Sequence, residues 1–332
     1  MKTEVCITVD VEFSIAGAFA APNRFRPLGK EGVECIVGGK EQGLGFILAS
    51  LDRFGMTGTF FTEALQTAYF GDEPMRNIAK RIADAGHDLQ LHLHPSWLHF
   101  RDDRWRQPGF VPNDCCAGRS DAELDELLTL GIQTFSRWGL PRPVALRTGS
   151  FSTDRAVFRA MARAGLKLAS NVSIGIFEPP DPELHLWGGR HLVEGVLEVP
   201  ALSYRSPFLK RSGASPWRSL AITATSRVET EALLWQARRA GVQTVIVLTH
   251  PHEFVRRKSF RFDDMRIHHT NQARLLNLLD FVKRNGDDFS IATFGGNGQA
   301  WLAAGTQAEP SLQTTMMHAL MRAAENVISD YT

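Results

Sequence analysis

Two histidines stand one residue apart in LQLHLHPSW (89–97), at the end of an alternating run that a proline terminates. Three further polar clusters share that setting. Asp10-Val11-Glu12 follows the apolar run VCITV, Arg147-Thr148-Gly149-Ser150 follows VAL, and Thr249-His250-Pro251-His252-Glu253 follows VIVL. Side chains two apart on a strand point the same way, so Asp10 with Glu12, and His92 with His94, can each face one pocket. Two imidazoles with a carboxylate are a common divalent-metal set that leaves positions for water and substrate. Each cluster alone has an ordinary reading: core or capping histidines for HxH, a helix cap or solvated turn for Asp-x-Glu. Four such clusters at four strand ends point to a metal-dependent hydrolase.

The elements that must position these residues alternate along the chain. Strand-like runs are VCITVD (5–10), GTFF (58–61), DLQLHLH (88–94), VALR (144–147), KLASNV (167–172), LEVPAL (197–202), QTVIVLTH (243–250) and FSIATF (289–294). Helical patterns run from about Glu41 to Gly55, from Pro74 to Gly86, and from a Ser120/Glu123 capping box to about Trp138. Others run from a Thr153 cap to Gly165, from Val228 to Gly241, and from near His269 to Asn285. Strands joined through helices need crossover connections and so form a parallel sheet, and seven or eight such units can close into a barrel. The expected organisation is one α/β barrel domain over residues 1–305, followed by a C-terminal helical tail, 306–332, whose helix spans about 311–329. In such barrels the active site forms at the C-terminal ends of the strands, where the four clusters lie.

Composition narrows the classes further. The 332 residues are 43% apolar and 22% charged, as expected of a globular chain, and no run approaches the roughly 18–20 apolar residues of a membrane span. Lys and Arg total 37 against 36 Asp and Glu, so no bulk field draws in nucleic acid or an anionic membrane. MKTEVCITVD enters a strand at once, and Cys6, Cys35, Cys115 and Cys116 fit neither a CxxC metal site nor a disulfide framework. A reduced, cytoplasmic setting is the expectation.

Taken in order, TVDVE (8–12), GHDLQLHLHP (86–95), RTGSFS (147–152) and VLTHPHE (247–253) resemble the motifs of the polysaccharide deacetylase (NodB homology) family, also called carbohydrate esterase family 4. The resemblance spans residues 8 to about 295. It implies a distorted (β/α)7–8 barrel of the polysaccharide deacetylase type. It also implies removal of acetyl groups from N-acetylated sugars with one divalent metal ion, zinc being the expected ion. Carried onto this chain, Asp10 matches the base that deprotonates water, Arg147 the arginine that orients that base, and His250 the acid that protonates the leaving amine. Glu12 matches the metal carboxylate and His92 the first metal histidine. The family's second histidine comes four residues after the first, where this chain has Ser96; His94 is the candidate substitute, with His99 a weaker one. The arginine motif, which usually continues with proline and an aromatic, here reads Thr148, Gly149, Ser150, Phe151.

The chemistry is coherent on the residues themselves. A bound cation acidifies water and polarises an amide carbonyl, Asp10 takes a proton, His250 gives one, and Arg147 keeps Asp10 ionised. No GxSxG elbow appears, so a covalent serine mechanism is not called for. Candidate substrate contacts are Trp97, in the long aromatic-bearing segment 95–119, Ser150 after the arginine, and Trp187 in PELHLWGG (182–189). Packing at the barrel mouth competes with a sugar platform for both tryptophans. The basic run VRRKSFRF (255–262) either grips a phosphate on a phosphate-linked sugar or forms a solvated face. FGGNGQ (294–299) lacks the strand, GxGxxG, helix order of a dinucleotide site. Two alternatives stand beside the carbohydrate deacetylase: hydrolysis of a small amide or ureide in the same pocket, and a metal-free carbohydrate-binding relative.

Overall fold

A computed structural model describes residues 2–207, 216–307 and 311–331, with side chains described as far as residue 327. Among them a nine-stranded sheet forms from β1 (Thr3–Val11), β2 (Thr59–Glu63), β3 (Asp88–Leu93), β4 (Ala145–Thr148), β5 (Leu168–Ala169), β6 (His191–Val193), β7 (Val196–Glu198), β8 (Thr244–Thr249) and β9 (Phe289–Ile291). The path runs β8-β1-β2-β3-β4-β5-β7-β6, with β9 also paired to β1. Every pairing is parallel except β6 with β7. Single parallel bridges, Ala201 to Ile246 and Ala221 to Leu248, carry the chain after β7 back to β8. Closure through isolated bridges rather than full strands is what distorts the barrel.

The crossovers are helices: α1 (Leu44–Phe54), α2 (Glu73–Asp84), α3 (Asp121–Arg137), α4 (Arg155–Arg163), α5 (Arg227–Arg239), α6 (His269–Arg284) and α7 (Phe294–Ala304), with α8 (Met316–Tyr331) at the C-terminus. The period of two sorts each strand between two cores. In β1, Val5, Ile7 and Val9 pack outward under the helices, while Cys6 joins an inner cluster with Phe61, Leu197 and Ile246. Leu91 and Leu93 of β3, Leu146 of β4, and Val245 and Val247 of β8 likewise face outward. The alternate positions, Asp10, His92, Arg147 and, just beyond β8, His250, therefore belong to the inward set. Parallel register aligns them: Asp10 is opposite Phe61, Glu63 opposite His92, and His92 opposite Arg147.

Several local expectations shift. The helix expected from Glu41 begins at Leu44, because Gly38 and Gly39, both at positive φ, close a hairpin of Ile36–Val37 with Lys40–Glu41. Asp154, not Thr153, caps α4, its carboxylate accepting from the Val157 amide. KLASNV and FSIATF shrink to two and three paired residues. FGGNGQ follows β9 directly and opens α7, where a Cβ at Gly295 would lie 2.4 Å from Asp88 Oδ1. Close approach of this helix to β3 accounts for that glycine. The Ser120/Glu123 capping box of α3 is present in both directions. Among the described residues no helix is long and apolar enough to cross a membrane.

Candidate active site

At the C-terminal end of β1, the Asp10 carboxylate accepts from Arg147 Nη1 at 2.6 Å; both side chains are buried, at 3% and 0% exposure. The Arg147 guanidinium also donates to Thr8 Oγ1 and to the carbonyl and hydroxyl of Ser170. It lies 4.2 Å over the Phe61 ring and 5.2 Å from that of Phe151. A cation so enclosed has one orientation, and it fixes one oxygen of Asp10. The other, Oδ2, lies 3.8 Å from His250 Nε2.

His250 is held from behind. Glu253 accepts from its ring Nδ1 at 2.9 Å and from its amide at 3.1 Å, while Thr249 donates to the same carboxylate. Burial acts against the charged imidazole, but the Glu253, Asp10 and Glu12 carboxylates outweigh it, so its pKa is pushed up to about 9. The next histidine goes the other way: burial and the neighbouring His250 push His252 down to about 4.

Beside this pair, Glu12, His92 and His94 present ligand atoms that all lie within 4.8 Å of one another. Glu12 Oε2 is 2.7 Å from His94 Nε2 and 3.4 Å from His92 Nε2. The rear nitrogens place one proton on Nδ1 of each ring. His92 Nδ1 faces the Arg147 carbonyl at 2.9 Å, an acceptor only, and so must carry the proton. His94 Nδ1 donates to Asp114 Oδ2 at 2.6 Å. Both Nε2 atoms are thus aimed at the Glu12 carboxylate with their rears anchored, the arrangement that metal-binding imidazoles use. Burial raises the Glu12 pKa, yet the two imidazoles hold the carboxyl well below the usual range. Glu12 and Asp114 in turn hold His94 well above that of a free imidazole, against the opposing effect of burial.

Two carboxylates here escape a reading of strand ends. Asp114 lies in a loop without periodicity, and its Oδ1 accepts from the Ser96 amide. Glu63 ends β2, where its Oε1 accepts from the Leu65 and His94 amides; Oε2 is buried without a partner among the described residues, and burial pushes the carboxyl up to about 8. The run GTFF ends two residues too early to include it.

The turn after Arg147 is shaped to fit His94. A Cβ on Gly149 would lie 2.4 Å from His94 Nδ1, so only glycine leaves room for the ring. Ser150 and Phe151 then take left-handed conformations, φ 51° and 55°. In front of Glu12 and His94 opens a cavity of about 320 Å³, whose wall includes Trp97, Asp114, His252 and Arg257. Trp97 is 1% exposed and packs against Phe70 and Phe100, so its ring is mainly a core element of the cavity wall. Ser150 is exposed, and Trp187 stacks on Trp217 at 5.4 Å; neither is among the residues lining this cavity. His99 accepts from the Asn113 amide and does not belong to the cluster of ligand atoms.

A parallel barrel with carboxylate, imidazole and guanidinium groups converging at its C-terminal rim has the fold of the polysaccharide deacetylases. A crystal structure described as a polysaccharide deacetylase from Mycobacterium smegmatis matches with a TM-score of 0.53 and 18% identity, over 95% of this chain and 96% of that one. A family 4 carbohydrate esterase from Streptomyces lividans, solved with acetate, is 12% identical over 93% of this chain and 98% of that one, with a TM-score of 0.42. A carbohydrate esterase family 4 pseudoenzyme from Bacillus anthracis is 12% identical over 95% of this chain and 70% of that one, with a TM-score of 0.43. No protein-family model and no curated protein matches the sequence.

Proposed function

We propose that this chain is a metal-dependent N-deacetylase that hydrolyses the acetamido group of a sugar, in a surface polysaccharide or its precursor. One observation carries the reading: a Glu12/His92/His94 ligand cluster stands beside a buried Asp10–Arg147 pair and a His250 whose Nε2 faces Asp10. The donor set fits a divalent cation, because both imidazoles have anchored rear nitrogens and direct Nε2 toward a carboxylate. Glu12, His92 and His94 would hold the ion, and zinc suits two nitrogens and an oxygen. When bound, such an ion supplies an acidified water and a polarised acyl carbonyl.

The chain's own groups carry the proton transfers. Asp10, clamped through Oδ1 by Arg147, keeps Oδ2 for the proton of the attacking water. The hydroxide oxygen bonds to the acyl carbon, and the carbon–nitrogen bond breaks with its electron pair going to nitrogen. His250, charged near neutral pH, gives its Nε2 proton to that nitrogen, while Glu253 holds Nδ1 and stabilises the ring. Acetate and a free amine result. Of the proposed substrate contacts, Trp97 belongs to the cavity wall, whereas Ser150 and Trp187 lie outside its lining.

The test pairs metal analysis with product analysis. Protein prepared without added salts should carry about one ion per chain, His92→Ala should lose it, and Asp10→Asn should keep the ion yet lose about 10²–10⁴-fold in acetate release from N-acetylated sugars. Ammonia release from ureides with no acetate from any sugar would transfer the same machinery to small amides. Full turnover in Asp10→Asn would overturn the mechanism.

A further inference from the structure

The wall of the cavity in front of Glu12 and His94 carries a guanidinium that nothing in the proposed reaction uses. Arg257 ends the first strand of a hairpin, Val255–Arg257 with Met265–Ile267, and lines that cavity. Its guanidinium lies 4.4 Å over the ring of Phe262. Phe262 is itself 7% exposed, holds a left-handed backbone at φ 58°, and presses on Gly32, where a Cβ would sit 3.1 Å from the ring. Arg257 is exposed, with its guanidinium seated on this buried aromatic ring.

Among the described residues no carboxylate pairs with Arg257. The acids on the same wall are occupied, since Glu12 and Asp114 both face His94. So are those of the hairpin's own turn: Asp264 pairs with Lys258, and Asp263 accepts from Ser259. Elsewhere on this surface arginines such as Arg137, Arg155 and Arg163 are matched to carboxylates. In the turn of this hairpin and the segment 24–26 that it contacts, the pattern is different. Arg261 donates to the Arg26 carbonyl, Arg26 lies 5.6 Å from the Trp105 ring, and Arg24 lies 5.0 Å from that of Phe25. These positive groups are held by rings and carbonyls, which position a guanidinium without neutralising it.

We infer that Arg257 binds an anionic group on the substrate, a carboxylate or a phosphate carried by the acylamino sugar. The inference rests on the proposed deacetylase reading and narrows it from acetamido sugars in general to anionic ones. The guanidinium's planar fork suits either oxyanion, and Arg257 lines the same cavity as Glu12 and His94, so an anion it holds shares that cavity with the reacting amide.

The test uses the full chain loaded with zinc and three matched sugars: N-acetylglucosamine, its 1-phosphate and its uronic acid. Acetate release should show kcat/KM for one of the anionic sugars at least about tenfold above the neutral parent, the scale of a charge-assisted contact. The two anionic arms distinguish phosphate from carboxylate. Arg257→Gln should bring the anionic-to-neutral ratio towards one, and Arg257→Lys should recover part of it. A ratio of one in the unaltered protein, or a ratio that Arg257→Gln leaves in place, overturns the inference while acetate release keeps the deacetylase reading standing. Calorimetric binding of the same sugars separates the opposite case. Tighter binding of an anionic sugar that Arg257→Gln abolishes, with no acetate from any sugar, retains the anion site and removes the deacetylase reading. Binding and turnover of none of the three overturn both.

Discussion

Asp114 accepts a hydrogen bond from His94 Nδ1 at 2.6 Å, and its second oxygen accepts from the amide of Ser96. Ser96 stands where the resembled motif has its second histidine. In this chain that position supplies a backbone donor instead, which fixes the carboxylate that fixes the ring. Removing the carboxylate frees the ring to rotate and lowers the basicity of Nε2. Asp114→Ala is therefore expected to weaken divalent-metal binding by about 10–100-fold, read by competition with a chromophoric chelator. Unchanged affinity would show that His94 is held by something other than Asp114.

Gly149 makes a sharper test of the same ring. Alanine there places a methyl group 2.4 Å from Nδ1 and 2.5 Å from Cε1 of His94, and no rotation of a methyl relieves that contact. The imidazole has to leave its seat and give up Asp114. Gly149→Ala should lose metal affinity at least as severely as Asp114→Ala, with a cooperative urea transition retained. An alanine variant that binds metal normally would mean the turn shifts instead of the ring.

Much of this site is legible because strands repeat every two residues. Val5, Ile7 and Val9 mark the outward side of β1, so Asp10 had to face in, and the same count along DLQLHLH turns His92 and His94 to the interior together. Capping residues located α3 through Ser120 and Glu123, but at α4 the neighbouring Asp154 caps in place of Thr153. Legibility ends where position depends on folding rather than period. Asp114 reaches His94 from an irregular loop 20 residues away, and Arg322 reaches Glu229 across 93. The Gly38–Gly39 turn was a local signal and could have been read, since paired glycines between short extended runs favour a tight hairpin.

On the proposed mechanism, the pKa of His250 sets the alkaline side of the pH profile. A histidine that protonates a leaving amine is active in its charged form. With its pKa pushed up to about 9, it keeps that proton through neutral pH and loses it as pH rises through that value. Burial pulls the pKa down and the Glu253 carboxylate is the largest influence raising it, so Glu253→Gln should move the alkaline limb of kcat/KM to lower pH. A limb that stays in place would assign it to another group.

The Asp10–Arg147 pair should be visible in stability as well as in rate. With Arg147 replaced, the buried Asp10 carboxylate loses its cation partner. Breaking such a pair from one side costs about 3–5 kcal/mol, more than the pair itself contributes relative to a neutral replacement. Arg147→Met should lower the urea midpoint accordingly, and adding Asp10→Asn should restore part of the loss, because the uncompensated charge is then gone. A double variant no more stable than Arg147→Met would show that Arg147 acts mainly through Thr8 and Ser170.

The helix α8 offers a test of how firmly the proposed C-terminal tail, 306–332, belongs to the barrel domain of 1–305. Arg322 donates to Glu229 Oε1 at 2.5 Å; the glutamate is fully buried and the arginine nearly so. Glu229 already serves α5, since its other oxygen accepts from the Ser226 amide in a capping box. Nearby, Arg274 of α6 pairs with Glu325 and donates to Asn326. One carboxylate therefore both starts a barrel helix and clamps the tail, and Arg322→Met leaves its charge buried with only a cap to answer it. The expected cost is about 3–5 kcal/mol by denaturant titration, with Glu229→Gln in the same chain recovering part of it. Metal affinity at Glu12, His92 and His94 should stay as it was, because α8 packs on α5 and α6 and contributes no atom to that cluster. If Arg322→Met instead unfolded in a separate early transition with the barrel's midpoint unchanged, the tail would be an independent unit and the shared carboxylate would not couple it to the fold.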